Sequence, residues 1–197
     1  MPTVTMPTVS RVDDPMTPVG ERLVQTASRL FYARGIRAVG VDLIAADAGT
    51  TKKTLYDRFG SKDALVVLCL RRRAERWQTR VLEHLAAHPE PGPGRVLAVF
   101  DALEDWLTEQ WRGCAFVNAY AEIGGTDHPA LPVVHEEKAW MRALFSALVQ
   151  EAGYDDAARL GAQLHVLYEG AVVLLTAGND GDALAQARGA AARLLGR

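Results

Sequence analysis

Hydrophobic positions recur mainly at helical spacing along this chain of 197 residues, and glycines and prolines separate the periodic stretches. The first stripe begins after Thr17 and ends at Gly35, a residue type that commonly terminates helices. Its positions follow one face of a 3.6-residue period. They are Leu23, Ala27, Leu30, Phe31 and Arg34. This stripe predicts the first amphipathic helix.

Eight further helices are predicted from the rest of the pattern. Two short stripes run from Val41 to Ala48 and from Thr51 to Phe59, and a long one runs from Lys62, after the N-cap candidate Ser61, to about residue 87. A Pro- and Gly-rich break follows. The remaining helices are expected at about 94–110, 113–123, 129–152, 155–177 and 180–195. Residues 96–100 are apolar enough to be ambiguous, but the whole pattern predicts an all-α fold of about nine helices.

The N-terminal stretch has a different composition. Residues 1–18 contain four prolines and a tandem repeat, in which Met1-Pro2-Thr3-Val4 is followed by Met6-Pro7-Thr8-Val9. Prolines this dense deny the backbone its helical hydrogen bonds, so residues 1–16 are predicted to be a disordered arm. A basic arm for the minor groove is the alternative, although Arg11 is its only cation. Met1, Met6 and Met16 are each possible starts.

The two short helices have the pattern of a helix-turn-helix at about residues 40–59. Ala45 is small where the second helix would cross, and Gly49 can adopt the positive φ of a sharp turn. Thr51 can cap the next helix through its hydroxyl, while Leu55 and Phe59 would anchor that helix to the core. The outward face then offers cations and hydroxyls suited to phosphates and base edges. This face comprises Thr51, Lys52, Lys53, Tyr56 and Asp57.

Residues 17 to about 77 resemble the DNA-binding domain of the tetracycline-repressor (TetR) family. The most specific stretch is Thr54-Leu55-Tyr56-x-x-Phe59-x-Ser61-Lys62-Asp63-x-Leu65, which follows Ile44-Ala45-x-x-Ala48-Gly49 at the family's distance. The resemblance implies that Thr51, Lys52, Lys53 and Tyr56 lie in or beside the major groove of operator DNA. It also implies phosphate contacts from Tyr56 and Lys62. Two departures stand out: Val39-Gly40 replace the usual Thr or Ser before the second helix, and Thr50 replaces the usual valine.

The charge distribution agrees with a nucleic-acid partner at one end. Residues 17–76 carry 12 Lys and Arg against 6 acidic residues, a net charge of +6. Residues 77–197 carry a net charge of −7, which disfavours a nucleoid protein that is basic throughout. The family resemblance implies that residues 78–197 form a ligand-binding and dimerisation domain, with a palindromic operator, a second copy and a small-molecule effector as partners.

Two C-terminal helices carry apolar stripes that predict a homodimer. A two-fold pairing of these helices would make a four-helix bundle, which the resemblance also implies. The alternative is that the stripes pack only within the subunit. The predicted interface residues are Leu160, Leu164, Tyr168, Ala171, Leu175, Ala183, Leu184, Ala187, Ala191 and Leu194.

The resemblance also implies a ligand cavity, and residues 112–122 are similar to the sixth helix of one TetR subgroup. Aromatic walls with a few polar groups suit a small, largely apolar ligand. Such a ligand would favour one tilt of the fourth helix and release a repressor from its operator. The candidate lining residues are Trp77, Phe100, Trp106, Phe116, Tyr120, Trp140, His165, Tyr168 and Glu169.

Catalytic and metal chemistry find little support in the sequence. His135-Glu136 begins like a zinc-protease motif but lacks the second histidine at position 139, and His84 and His88 lie at a helix end before Pro89. Neither a metal nor another cofactor is therefore expected. Cys69 and Cys114 fit buried thiols in a reducing cytoplasm. Neither a secretion signal nor an apolar run of membrane-spanning length is present.

Overall fold

The computed structural model describes residues 4–9, 11–12, 16–108 and 110–196. These residues contain nine α-helices and no strand, which confirms the predicted all-α class. Helix bounds agree with the sequence pattern to within about three residues, and the ambiguous residues 96–100 lie inside α5. The helices are α1 (Pro18–Arg34), α2 (Val41–Asp47), α3 (Lys52–Phe59), α4 (Lys62–Ala86), α5 (Pro93–Leu107), α6 (Ala115–Ile123), α7 (Leu131–Glu151), α8 (Ala157–Thr176) and α9 (Ala183–Leu194).

Local side-chain and backbone bonds explain where the N-terminal helices begin and end. The Thr17 hydroxyl accepts the Gly20 N–H at the start of α1, and Gly35 ends that helix at φ 91°. The predicted caps at Thr51 and Ser61 are confirmed, since each side-chain oxygen accepts an N–H in the first turn of the helix that follows. In contrast, α2 begins at Gly40 without a side-chain cap. The absence of the family's usual Thr or Ser is therefore not compensated by another side chain.

The described chain folds as two compact units, which we call the N-terminal and C-terminal units. The N-terminal unit comprises residues 11–12, 16–75 and 115–137, and the C-terminal unit comprises the other described residues. Helices α4 and α7 continue from one unit into the other, at residues 75/76 and 137/138. Each unit is thus built from separate stretches of sequence.

Helix α5 lies in the core of the C-terminal unit, and all of its buried residues are apolar. Phe100 and Phe145 are among the largest fully buried side chains of the unit. Gly161 lets α8 approach α7 closely, because a Cβ at this position would lie 2.7 Å from the backbone of Ser146. Arg188 on α9 donates two hydrogen bonds to the carboxylate of Asp101 on α5, at 2.6 and 3.2 Å. These contacts hold α5, α7, α8 and α9 as one core.

Residues 4–9 differ from the predicted disordered arm. They have no regular secondary structure, but Met6 packs against the core of the C-terminal unit, and the Trp140 indole N–H donates to the Thr8 carbonyl at 2.9 Å. Thr5 and Thr8 are exposed while the apolar residues between and beside them are half-buried. The density of prolines disfavours a helix but permits this packing against the core. Residues 1–3, 10 and 13–15 of the predicted arm lie outside the described residues.

Neither cysteine takes part in a disulfide. Cys69 is buried as expected, but Cys114 is only half-buried. In the part of the chain that the structure describes, no helix is both long and apolar enough to cross a membrane.

Candidate nucleic-acid interface

Helices α2 and α3 are joined by a tight turn. Gly49 has φ 64°, as predicted, and the Thr50 N–H donates to the Ala45 carbonyl at 2.9 Å. Ile44 and Ala45 are buried on the inner face of α2. The turn therefore closes on a small residue at the point where the two helices approach each other.

One face of helix α3 packs against the core, and the opposite face is exposed. Leu55 is fully buried, and Phe59 is half-buried, so Leu55 is the stronger anchor. Tyr56 is 42% exposed, so it is not a core aromatic. Every residue of the predicted outward face is exposed: Thr51, Lys52, Lys53, Tyr56 and Asp57. The structure thus brings together four of the five predicted DNA-binding residues on one surface.

The two lysines of this surface are paired with exposed carboxylates. Lys52 Nζ lies 3.1 Å from Asp42, and Lys53 Nζ lies 2.7 Å from Asp57. Exposed ion pairs of this kind contribute little to stability because water and salt screen them. Both ammonium groups can therefore exchange their carboxylate for a phosphate at small cost.

The fifth predicted residue, Lys62, lies at the start of α4 and is half-buried. Its ammonium donates to the Ile36 carbonyl at 2.6 Å and lies 6.0 Å from the centre of the Phe31 ring. This lysine therefore supports the loop between α1 and α2, which the sequence reasoning did not foresee. Because an ammonium has three N–H donors, the contact with Ile36 leaves donors for a phosphate.

In the basic run at residues 71–73, two of the three arginines contact other side chains of the protein. Arg72 donates two hydrogen bonds to Glu21, at 2.6 and 2.9 Å, and the Arg73 guanidinium lies 4.6 Å from the centre of the Tyr32 ring. The hydrogen bond from Arg72 lowers the pKa of Glu21 below its usual 4.5 and outweighs the opposing effect of burial. Arg72 and Arg73 thus join α4 to α1.

Glu122 is a contact residue of this region that the sequence did not reveal. Its two carboxylate oxygens accept the backbone N–H groups of Ile36 and Arg37, at 2.9 and 2.7 Å. It lies on α6, 85 residues further along the chain from Arg37, and no local pattern connects the two positions. Arg37 and Arg58, which were not singled out either, are exposed cations of the N-terminal unit.

Most of the predicted ligand-binding residues form an aromatic cluster inside the C-terminal unit. The ring of Trp77 lies 5.5 Å from that of Trp106 and 6.2 Å from that of Tyr168, and Tyr168 lies 6.4 Å from Phe100. Trp140 is also buried in this unit. Phe116 and Tyr120 are not part of the cluster, because α6 belongs to the N-terminal unit, where Phe116 is buried and Tyr120 is 49% exposed.

Polar groups adjoin this cluster between α7 and α8. The carboxylate of Glu169 lies 2.8 Å from Lys138 Nζ and 3.3 Å from His165 Nε2. Burial raises the pKa of Glu169, but the hydrogen bond from His165 and the charge of Lys138 outweigh it and bring the pKa below 4.5. Glu169 is therefore a partly buried carboxylate bound by two basic side chains. His165 and Glu169, both predicted as ligand contacts, lie together here.

The apolar stripes predicted to face a second copy lie mostly inside the protomer. Leu160, Leu175 and Leu184 are half-buried, and only Leu194 is exposed. The other six residues are buried: Leu164, Tyr168, Ala171, Ala183, Ala187 and Ala191. Much of this apolar face packs within the protomer, while Ala171, Ala183 and Ala187 also line an exposed groove. The interface with a second copy therefore stays a prediction.

Helices α8 and α9 also carry exposed apolar grooves. Val166, Leu167 and Ala190 line both grooves, Leu194 lines one of them, and Leu174 lines the other. Val166 is 72% exposed. An exposed surface of this kind marks an interaction site in many proteins.

Among the described residues, no group of three or more His, Cys, Asp or Glu side chains is placed to hold a metal ion. His84 Nε2 lies 3.1 Å from Asp105, and His88 Nδ1 lies 3.0 Å from the His84 carbonyl. The two histidines therefore have partners within the protein.

Comparison with known proteins agrees with this geometry. The model of the family described as "Bacterial regulatory proteins, tetR family" matches residues 23–69, which include α2 and α3. SCO4454, a TetR-family transcriptional regulator from Streptomyces coelicolor, is 31% identical and has a TM-score of 0.83, with 90% of this chain and 94% of that chain covered.

Two curated relatives also have names that describe transcriptional regulators. The HTH-type transcriptional regulator YxaF of Bacillus subtilis is 26% identical over 170 residues, which cover 81% of this chain and 86% of YxaF. The HTH-type transcriptional activator FasR of Mycolicibacterium smegmatis is 27% identical over 139 residues, 68% of this chain and 60% of FasR. The identity to SCO4454, maintained over nearly the whole of both proteins, together with the helix-turn-helix, shows that this chain belongs to the TetR family of transcriptional regulators and is not an enzyme.

Proposed function

We propose that this regulator is a repressor, which binds a palindromic operator as a homodimer and leaves it when a small, largely apolar ligand binds. The observation that carries the proposal is the surface of α3, where an exposed polar face is fixed by the buried Leu55. A helix held in this way can enter the major groove without changing its own packing.

On this surface, each residue has a distinct part in DNA binding. Lys52 and Lys53 exchange their exposed carboxylates for phosphates or base edges, and the Thr51 and Tyr56 hydroxyls donate to the same groups. Lys62 retains its bond to Ile36 and donates to a phosphate beside the groove. Only a few base pairs are contacted by one such helix, so two copies are needed for a specific site.

The exposed grooves of α8 and α9 are the proposed contact between the two copies. A two-fold axis would place each Val166 against the same surface of the other copy, and burying such apolar side chains favours association. Two half-sites about one helical turn apart, about 34–36 Å, would then match the symmetric pair.

The aromatic cluster of the C-terminal unit is the proposed ligand site. Trp77, Trp106 and Tyr168 supply apolar surface, while His165 and Glu169 offer hydrogen bonds to a polar group of the ligand. A ligand that binds one arrangement of these side chains more tightly than another shifts the population of the two. Helix α4 carries Trp77 and also Lys62, so it connects this site with the DNA-binding surface through one continuous backbone.

Selection of bound duplexes from a random pool tests the DNA-binding part. We expect a palindrome, reduced affinity for it in Tyr56→Ala and Lys62→Ala, and a salt dependence for Lys62→Ala that is smaller by about one phosphate contact. Arg142→Ala, which removes an exposed cation from α7, is the control for charge. Retained affinity in both variants would contradict the assigned residues, and the absence of any selected sequence would contradict the function.

A reporter gene behind the selected palindrome tests the sign of regulation. Repression predicts higher expression when the regulator is deleted, whereas lower expression would identify an activator, as FasR is named.

Thermal-shift screening of apolar compounds tests whether the protein binds such a ligand. A stabilising compound should also lower operator affinity, and Trp106→Ala should weaken its binding.

A further inference from the structure

Glu122 holds the loop that leads into α2. The loop begins where α1 ends at Gly35, and its first two N–H groups, those of Ile36 and Arg37, are bound by the two oxygens of one carboxylate at 2.9 and 2.7 Å. Hydrogen bonds to an ionised acceptor are stronger than those between neutral groups. One side chain therefore determines the position of two consecutive peptide groups.

The loop is held from a second direction by Lys62. The Ile36 carbonyl accepts a hydrogen bond from the ammonium of Lys62 at 2.6 Å, while the N–H of the same residue is bound by Glu122. Ile36 thus lies between a carboxylate from α6 and an ammonium from α4. Val39, three residues later, is fully buried and fixes the end of the loop before α2.

Gly35 gives independent support for a close approach of α6. A Cβ at this position would lie 2.7 Å from Oε1 of Glu122, and the residue has φ 91°. The positive φ therefore favours glycine, and a Cβ here would also displace the carboxylate of Glu122 from its present position. The contact is consequently a close fit of backbone to side chain rather than a loose surface interaction.

The chain connectivity makes this contact relevant to regulation. Glu122 lies in residues 115–137, a stretch whose two ends both continue into the C-terminal unit, where the proposed ligand site lies. A displacement of either end would reach α6 through the backbone, and α6 carries the carboxylate that holds the entrance to the helix-turn-helix.

We propose that Glu122 is a positioning residue for DNA recognition, which fixes α2 and α3 through the Ile36 and Arg37 peptide groups. The proposal rests on the proposed operator binding of the homodimer and assigns a residue outside the family-matched segment 23–69 to it. Its loss would leave the base-contacting side chains intact but would allow α2 and α3 to vary in position. The homodimer would then tolerate different separations between half-sites.

The test compares the spacing preference of wild type, Glu122→Gln and Glu122→Ala. The operator selected by the wild type is lengthened or shortened by one and two base pairs between its half-sites, and affinities are measured by fluorescence anisotropy. We expect wild type to prefer one spacing, and Glu122→Ala to lose about tenfold in affinity for it while its preference among the spacings becomes flatter. Glu122→Gln, whose amide oxygen can accept only one of the two N–H bonds properly, should lie between them.

Glu136→Gln is the control, because it removes an exposed carboxylate from the same stretch of chain. Hydrogen exchange at the amides of Ile36 and Arg37 should accelerate in the Glu122 variants and not in this control. A variant with lower thermal stability but the spacing preference of wild type would overturn the proposal, because Glu122 would then only stabilise the fold. If Glu122→Ala does not fold, the thermal stability and spacing preference of Glu122→Gln are compared with those of the wild type instead. If the wild-type protein selects no palindrome, the proposed operator binding is wrong. The contact between Glu122 and the loop is tested separately: unchanged hydrogen exchange at the Ile36 and Arg37 amides in the Glu122 variants would refute it.

Discussion

At the scale of single residues, the two helices of the helix-turn-helix differ in how they begin. Thr51 accepts the Thr54 N–H at 3.1 Å, and the two threonine hydroxyls lie 2.9 Å apart. Helix α2, in contrast, starts at Gly40 with its first-turn N–H groups uncapped by a side chain. The stability of α3 should therefore be sensitive to substitution of its N-cap.

Replacing Thr51 with alanine removes this cap. We expect Thr51→Ala to lower the free energy of unfolding by about 1 kcal/mol, because an N–H at the start of α3 loses its acceptor. Chemical denaturation measures the change, and Thr51→Ser, which keeps the hydroxyl, should retain most of the stability. Equal losses in the two variants would show that the methyl group rather than the cap matters.

A second prediction at this scale concerns the pH dependence of stability. Lys138 and His165 hold the pKa of Glu169 below 4.5, so this carboxylate stabilises the folded state above pH 4.5 and ceases to do so as the pH falls through its folded pKa. The difference in melting temperature between wild type and Glu169→Gln should thus be largest above pH 4.5 and should shrink below it. Glu136→Gln, at an exposed position, should show a smaller difference, and a gap that widens on acidification would disprove the assignment.

At the scale of elements, the turn between α2 and α3 allows the energetic cost of an unfavourable backbone conformation to be measured without a steric clash. Gly49 has φ 64°, yet a Cβ there would meet no atom within 4 Å. We expect Gly49→Ala to cost about 1–2 kcal/mol in the free energy of unfolding, since the left-handed conformation is unfavourable for alanine. Gly125→Ala, at φ 77° and equally unobstructed, should cost a similar amount. A neutral effect at position 49 alone would show that the turn adapts.

The sequence predicts these elements well because their signals are local. Thr51, Ser61 and Gly49 act within a few residues, and both the caps and the positive φ are confirmed. The outward face of α3 also follows from the spacing of Leu55 and its exposed neighbours. Such features require no knowledge of distant contacts.

Features that depend on distant contacts could not be read from the sequence. The stripe that contains Leu164 and Ala187 has the correct apolar period, but periodicity does not say whether the same subunit or a second copy covers it. The placement of Glu122 against Ile36 joins residues 86 positions apart. Met6 and its neighbours similarly pack against the C-terminal unit although their composition suggested disorder.

At the scale of the whole molecule, the exposed grooves of α8 and α9 lead to a prediction about assembly. Val166→Glu should convert the proposed homodimer to a monomer, because a carboxylate would have to be buried against apolar side chains. Light scattering after size-exclusion chromatography measures the mass. Val117→Glu, which places the same charge on α6 at a valine that is 40% exposed, should leave the mass unchanged. A Val166→Glu protein of dimeric mass would place the interface elsewhere.

The division of the N-terminal unit between residues 16–75 and 115–137 limits how this protein can be recombined. A chimaera made with a single junction in α4 would transfer α2 and α3 but would leave Glu122 behind. Ile36 and Arg37 would then face a foreign surface without their acceptor, unless the donor of the remaining sequence supplied an equivalent carboxylate. Transferring the helix-turn-helix to another C-terminal unit therefore calls for two matched segments, and we expect single-crossover fusions to fold yet bind the proposed operator poorly.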